Sequence, residues 1–150
     1  MNTKPTQVLG IQLKAQKESY SVGEKINVTV ILKNLSDAPI TINKRMGINP
    51  KYMPEGYWEV KFDIVFPPGK RLIRCAFINR GKLDKEDFTL LQPGEEKSEA
   101  YTLTDWYWMK LPGIYEVKVT YHNSIDGKQF GLSAWTGEIT SKPVFLRVVD

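Results

Sequence analysis

The sequence predicts an all-β antiparallel sandwich, and three observations carry that prediction. Apolar and polar residues alternate with a period of two at many points. The cleanest is Tyr115, Val117, Val119 and Tyr121 against Glu116, Lys118 and Thr120. The alternating runs are short, and turn formers such as Pro67-Pro68-Gly69 and Gln92-Pro93-Gly94 separate them. No run keeps a 3.6-residue period long enough for a sizeable helix. At 150 residues the chain is expected to be one domain, residues 1–150, burying about two thirds of the surface it exposes when unfolded.

The elements follow in order. Leu9, Ile11, Leu13 and Ala15 suggest a first strand, and Ser21-Val22-Gly23-Glu24 a turn. Ile26, Val28, Val30 and Leu32 face inward on the next strand, with Asn27, Thr29 and Lys33 outward. Asn34-Leu35-Ser36-Asp37 reads as a loop, after which Ile40 and Ile42 resume the alternation. From Met46 to Gly56 the pattern disappears, giving a long irregular loop of the kind that often carries function. Trp58, Val60, Phe62 and Ile64 then alternate with Glu59, Lys61 and Asp63, which are expected outward. Leu72 to Phe77 begins another strand, containing Cys75 as a buried, inert thiol. Phe88–Leu91 is short and apolar, and Ser98–Leu103 is a strand. Thr104-Asp105 is expected to cap one helical turn through Met109. The central strand follows, then a hairpin connection at residues 122–127 with Asp126-Gly127 supplying the positive-φ residues. Residues 130–135 are irregular. Pro143 introduces a last strand in which Val144, Leu146 and Val148 alternate with Phe145, Arg147 and Val149.

Composition excludes several functions. The apolar and charged fractions, 41% and 25%, are ordinary for a globular protein. No apolar run approaches the roughly 20 residues that span a bilayer, so no membrane span is expected. Met1–Gly10 lacks the apolar core of a signal peptide. Localisation then depends on what precedes the chain: secreted or periplasmic if a leader has been removed, cytoplasmic otherwise. The net charge of +4 is uneven. Residues 1–75 carry twelve Lys/Arg against six Asp/Glu, and residues 76–150 nine against eleven. A solvated mixed surface accounts for this polarity, and no nucleic-acid partner is expected.

Catalytic chemistry finds little material. One histidine, His122, and one cysteine cannot build a usual zinc site, and the acids at Asp84, Glu86 and Asp87 lack a calcium-loop order. Pro68-Gly69-Lys70 lacks the glycine spacing of a phosphate loop. Glu55 and Glu59 have nothing to mark them as a glycosidase pair. No enzyme, metal or cofactor is expected. Asn27-Val28-Thr29 and Asn34-Leu35-Ser36 are formal sequons, meaningful only in a eukaryotic secretory setting.

Aromatic residues remain as candidates for binding. Trp106, Tyr107, Trp108 and Met109 cannot all point inward from one short turn. With Trp106 and Met109 facing the core, Tyr107 and Trp108 are expected to be partly exposed, as anchors for a protein or platforms for a sugar. Rings that plug one end of the sandwich are the plainer alternative. Trp135, and Tyr52 and Met53 of the irregular loop, complete the candidate set.

Leu111-Pro112-Gly113-Ile114-Tyr115-Glu116-Val117 resembles the penultimate strand of immunoglobulin-like domains. The resemblance implies that the Tyr115 hydroxyl bonds back to the corner backbone. Val117 stands where those domains carry a cysteine, so no disulfide is implied. Five pieces, this strand among them, are similar to bacterial immunoglobulin-like domains of the intracellular proteinase inhibitor family. They are Tyr20-Ser21-Val22-Gly23-Glu24, Asn34-Leu35-Ser36-Asp37, Gln92-Pro93-Gly94-Glu95, the Pro-Gly-x-Tyr strand, and Trp135 to Pro143. The expectation is therefore an immunoglobulin-like sandwich of about seven to nine strands. Its leading function is a non-catalytic binding or accessory module with a protein partner. One alternative is a proteinase inhibitor presenting the Met46–Gly56 loop. The other is a glycan-binding module using Trp106, Trp108 and Trp135.

Overall fold

The computed structural model describes residues 7–48, 58–66, 69–72 and 83–150. Their strands are β1 (Leu9–Ala15), β2 (Ser19–Ser21), β3 (Asn27–Asn34), β4 (Ile40–Asn43), β5 (Val60–Phe66), β6 (Lys70–Arg71), β7 (Phe88–Leu91), β8 (Glu96–Thr102), β9 (Gly113–Asn123), β10 (Gly137–Thr140) and β11 (Val144–Val149). A three-stranded sheet runs β1-β3-β8, and a six-stranded sheet runs β2-β11-β9-β5-β6 with β10 also on β9. β4 and β7 form a separate pair. All strand pairings are antiparallel except β2 with β11. The protein is an all-β sandwich.

β9 organises the large sheet because its alternation is the longest. Tyr115, Val117, Val119 and Tyr121 are buried, while Ile114, Glu116, Lys118 and Thr120 lie on the other face. β5 pairs one edge of β9 through residues 116–121. β11 and β10 share the other edge, pairing residues 113–117 and 120–123 respectively. They act as one interrupted strand. Across the break the Ser141 amide donates to the Val119 carbonyl at 2.8 Å, and the Val119 amide donates to the Ser141 hydroxyl at 3.0 Å. Opposite this sheet, Leu9 and Leu13 of β1 and Val28, Val30 and Leu32 of β3 supply the facing half of the core. Strands broken in this way explain why the described residues hold eleven short strands rather than seven to nine.

The corner predicted at the start of β9 is present. The Tyr115 hydroxyl donates to the Leu111 carbonyl at 2.8 Å. Gly113, at φ +148, has no room for a side chain, because a Cβ there would lie 2.5 Å from the Phe66 ring. That ring packs on Tyr115 with centroids 4.8 Å apart.

Four local expectations are corrected. Strict alternation points Glu59 outward, but it is 3% exposed, because it pairs with Arg45. Asn34 belongs to β3 and is fully buried. Its amide donates to the Ala38 and Leu91 carbonyls at 2.8 and 2.9 Å, satisfying a polar side chain that burial would otherwise penalise. Asp126-Gly127 opens a longer connection rather than a tight hairpin: Gly127 is left-handed, a 3-10 turn follows at Lys128–Phe130, and the chain returns only at β10. The turn after β8 is a 3-10 turn at Leu103–Asp105 with no side-chain cap. The Thr104 hydroxyl instead accepts from the Ile26 amide at 3.3 Å. Cys75, the Leu72–Phe77 strand beyond Leu72, and the Pro67-Pro68 turn lie outside the described residues.

Candidate functional site

The aromatic turn divides its rings in an order different from the one expected. The Trp106 and Tyr107 amides both donate to the Leu103 carbonyl, at 3.0 and 2.8 Å, closing a single turn. Beyond Trp106 the chain leaves the helical conformation, so Tyr107 and Met109 share the inward face with the spacing of an extended segment. Tyr107 is 4% exposed, and its hydroxyl donates to the Phe62 carbonyl at 3.3 Å. This corrects the expectation that Tyr107 stands exposed beside Trp108. Trp106 is half-buried against the core, and Trp108 is 53% exposed. Trp108 borders a pocket of ≈ 220 Å³ whose floor is Tyr107 and Met109, with Lys25, Lys110, Glu24 and Asp105 around it.

Trp135 stands elsewhere. Its ring stacks on Tyr121 with centroids 5.7 Å apart, and its amide donates to the Thr41 carbonyl at 2.8 Å. Trp108 lines a pocket with Glu24 and Lys25, whereas Trp135 packs on Tyr121 of β9. Tyr52 and Met53 lie outside the described residues.

A larger surface lies on the outer face of the six-stranded sheet. Phe145 is 60% exposed, and with Ile114, Val144 and Pro143 it lines an open groove of ≈ 700 Å³ edged by Lys17, Glu18 and Arg147. Register explains the grouping: Phe145 lies opposite Glu116 and Arg147 opposite Ile114, so Phe145 and Ile114 are diagonal neighbours on one face. Val149 pairs with Ser21, and the Val22 amide donates to its carbonyl at 2.8 Å, which brings Val22 to the same corner. From the sequence Phe145 is only one member of the alternation in the last strand, and it is not among the candidates. The signal was available in Val144-Phe145-Leu146-Arg147-Val148-Val149, which is apolar on both faces of a strand whose outer side meets water.

The opposite end of the sandwich is polar and closely bonded. Arg45 donates to the Glu59 carboxylate through Nε at 2.8 Å and Nη2 at 3.1 Å. The Gly47 amide donates to the same carboxylate at 3.2 Å. The bonds to Glu59 hold the Arg45 guanidinium above its ordinary pKa. Burial and the nearby Glu59 charge push the Tyr121 phenol up, and its hydroxyl donates to the Asn43 carbonyl at 2.7 Å. His122 is engaged, with Nδ1 3.2 Å from the Trp58 carbonyl and its ring against Trp58. Among the described residues no three His, Cys, Asp or Glu side chains converge to hold a metal ion. No helix is long and apolar enough to cross a membrane.

No protein-family model and no curated protein matches the sequence. Among solved structures, the chain is similar to the CARDB domain of a Pyrococcus furiosus protein in complex with di-metal ions, at 16% identity over 94% of this chain and 87% of that one, TM-score 0.43. The solution structure of that domain gives 14% identity over 95% and 94%, TM-score 0.42. Bacteroides uniformis β-glucuronidase gives 15% identity over 87% of this chain and 12% of that one, TM-score 0.32.

Proposed function

We propose that the protein is a non-catalytic, immunoglobulin-like binding module that docks on a folded protein partner through the corner where β2, β11 and the start of β9 meet. The supporting observation is the clustering of exposed apolar side chains. Ten large apolar side chains stand exposed among the described residues; Val22, Ile114, Phe145 and Val149 meet at this corner by register, and Trp108 and Leu111 belong to the segment that leads into β9. Apolar patches rimmed by charge are the usual anatomy of a protein interface, and the rim here is Lys17, Glu18, Arg147 and Glu116. Trp108 and Phe145 are the anchors, since aromatic rings dominate interface energetics.

Affinity capture from the source cell's extract tests this with four baits. The wild-type chain and Leu90→Asp, an exposed change elsewhere, should retain the same discrete protein, while Phe145→Asp and Trp108→Ala should lose it. Equal capture by all baits overturns the proposal.

Inhibition of a proteinase by the Met46–Gly56 loop is a second reading, supported by the anchored base of that loop. The Gly47 carbonyl accepts from the Glu59 and Val60 amides at 3.1 and 2.8 Å, and Ile48 bridges to Val60. Anchored loops of this kind suit a protease cleft, because pre-organisation lowers the entropy cost of binding. A panel of serine, cysteine and metalloproteinases assayed with excess chain decides it, and uniform full activity removes the reading.

A further inference from the structure

β8 is the outer strand of the three-stranded sheet: β3 pairs its inner edge, and among the described residues no strand pairs the other. The register determines which backbone groups that free edge offers. The Asn34 amide donates to the Glu95 carbonyl at 3.0 Å and the Leu103 amide to the Ile26 carbonyl at 2.8 Å, and between these anchors an antiparallel ladder bonds every second residue. Lys97, Glu99 and Tyr101 therefore turn their backbone groups towards β3. Glu96, Ser98 and Ala100 turn theirs outward, and all three are exposed. The Lys97 and Glu99 side chains lie opposite Leu32 and Val30, on the core side of the sheet, and are half-buried. Neither takes part in the salt bridges formed among the described residues.

Inward-pointing charge guards an edge against indiscriminate pairing, and the order Lys97-Ser98-Glu99 also selects one partner. We propose that a second copy of this chain pairs its own β8 antiparallel to this edge, about a twofold axis at Ser98. In that register Ser98 meets Ser98 and Glu96 meets Ala100, all of them residues whose amides and carbonyls point outward. Lys97 then stands directly opposite Glu99 of the second copy, and Glu99 opposite its Lys97, so both half-buried charges gain a cross-strand partner. Neighbouring registers fail on charge. An axis at Lys97 opposes two lysines, and an axis at Glu99 or Glu96 opposes two glutamates. The small Ser98 and Ala100 side chains leave the strands room to approach. The product is a continuous sheet running β1-β3-β8 and then β8-β3-β1 of the second copy, closed by symmetry. This surface is separate from the corner proposed for the partner, so either inference stands or falls alone.

Light scattering on the eluting full-length chain at high micromolar concentration should give twice 17.2 kDa. Ser98→Pro removes an outward amide that no described strand pairs with, and should give a monomer with an unchanged circular dichroism spectrum. Lys97→Glu and Glu99→Lys should each weaken the dimer by about tenfold, because each makes like charges face each other at two symmetric positions. The double swap, Lys97→Glu with Glu99→Lys, should restore it. A monomeric wild type, a dimer indifferent to Ser98→Pro, or a double swap as weak as the single ones would each overturn the proposal.

Discussion

Tyr115 and Tyr107 are both buried with their hydroxyls bonded to main-chain carbonyls, but they were not equally legible. Tyr115 sits in Pro-Gly-x-Tyr, where the bond to Leu111 holds the corner. Tyr115→Phe should lower stability by about 1 kcal/mol, the usual net contribution of one hydrogen bond, read from the urea midpoint. An unchanged midpoint would remove the corner from the account of the fold. In the aromatic turn, Tyr107→Ala should cost about 3–5 kcal/mol, the range for a buried aromatic ring. Trp108→Ala should stay within about 0.5 kcal/mol, as surface changes do. Comparable losses at both positions would make Trp108 part of the core and end its role as an anchor.

Among the elements, the segment joining β4 to β5 has the most elaborate foundation. Met46 is buried at φ +48, a left-handed conformation that is strained for a side chain bearing a Cβ, by an amount of order 1 kcal/mol. Its carbonyl accepts from the Tyr101 hydroxyl, and Gly47 beside it is bonded to Glu59 through both amide and carbonyl. Glu59 thus joins Arg45, Gly47 and the first residue pair of β5 into one base. Glu59→Ala should destabilise the chain by about 3 kcal/mol, the low end for breaking a buried pair, since Arg45 keeps 20% side-chain exposure. Amide exchange should quicken first at Gly47, Val60 and His122, whose bonds converge on this base. A loss spread evenly over all strands would show that Glu59 supports the whole sandwich rather than this loop.

At the scale of the molecule, two core tyrosines set the alkaline limit of stability. Burial raises the Tyr115 phenol, and burial with the Glu59 charge raises Tyr121 further. The folded state therefore holds protons that the unfolded chain releases above about pH 10. Their contribution is complete below that pH and is lost as pH rises towards the folded values. The expected slope approaches about 1.4 kcal/mol per pH unit for Tyr121, and Tyr115 adds a smaller slope of the same sign. Urea midpoints measured across this range, with phenolate absorbance followed in parallel, check it. Tyr121→Phe should make the alkaline limb shallower, and an identical limb in that variant would refute the assignment.

Local pattern determined the strands of this protein, because period-2 alternation reports directly which side of a strand meets the core. It was enough for β3, β5, β9 and β11, and Pro-Gly-x-Tyr was enough for the corner. Pattern also erred wherever a polar group was buried with a distant partner. Glu59 looked solvent-facing until Arg45 was beside it, and Asn34 looked like a loop residue until the Leu91 carbonyl, 57 positions away, completed its bonds. Candidate sites suffered for the same reason. Trp108 stands with Glu24 and Lys25 while Trp135 stacks on Tyr121, and Phe145 gains meaning only with Ile114 and Val22 from other segments beside it. Alternation along a chain is local information, whereas the partner of a buried charge and the neighbours of an exposed ring are set by strand order and register, which only the folded sheets decide.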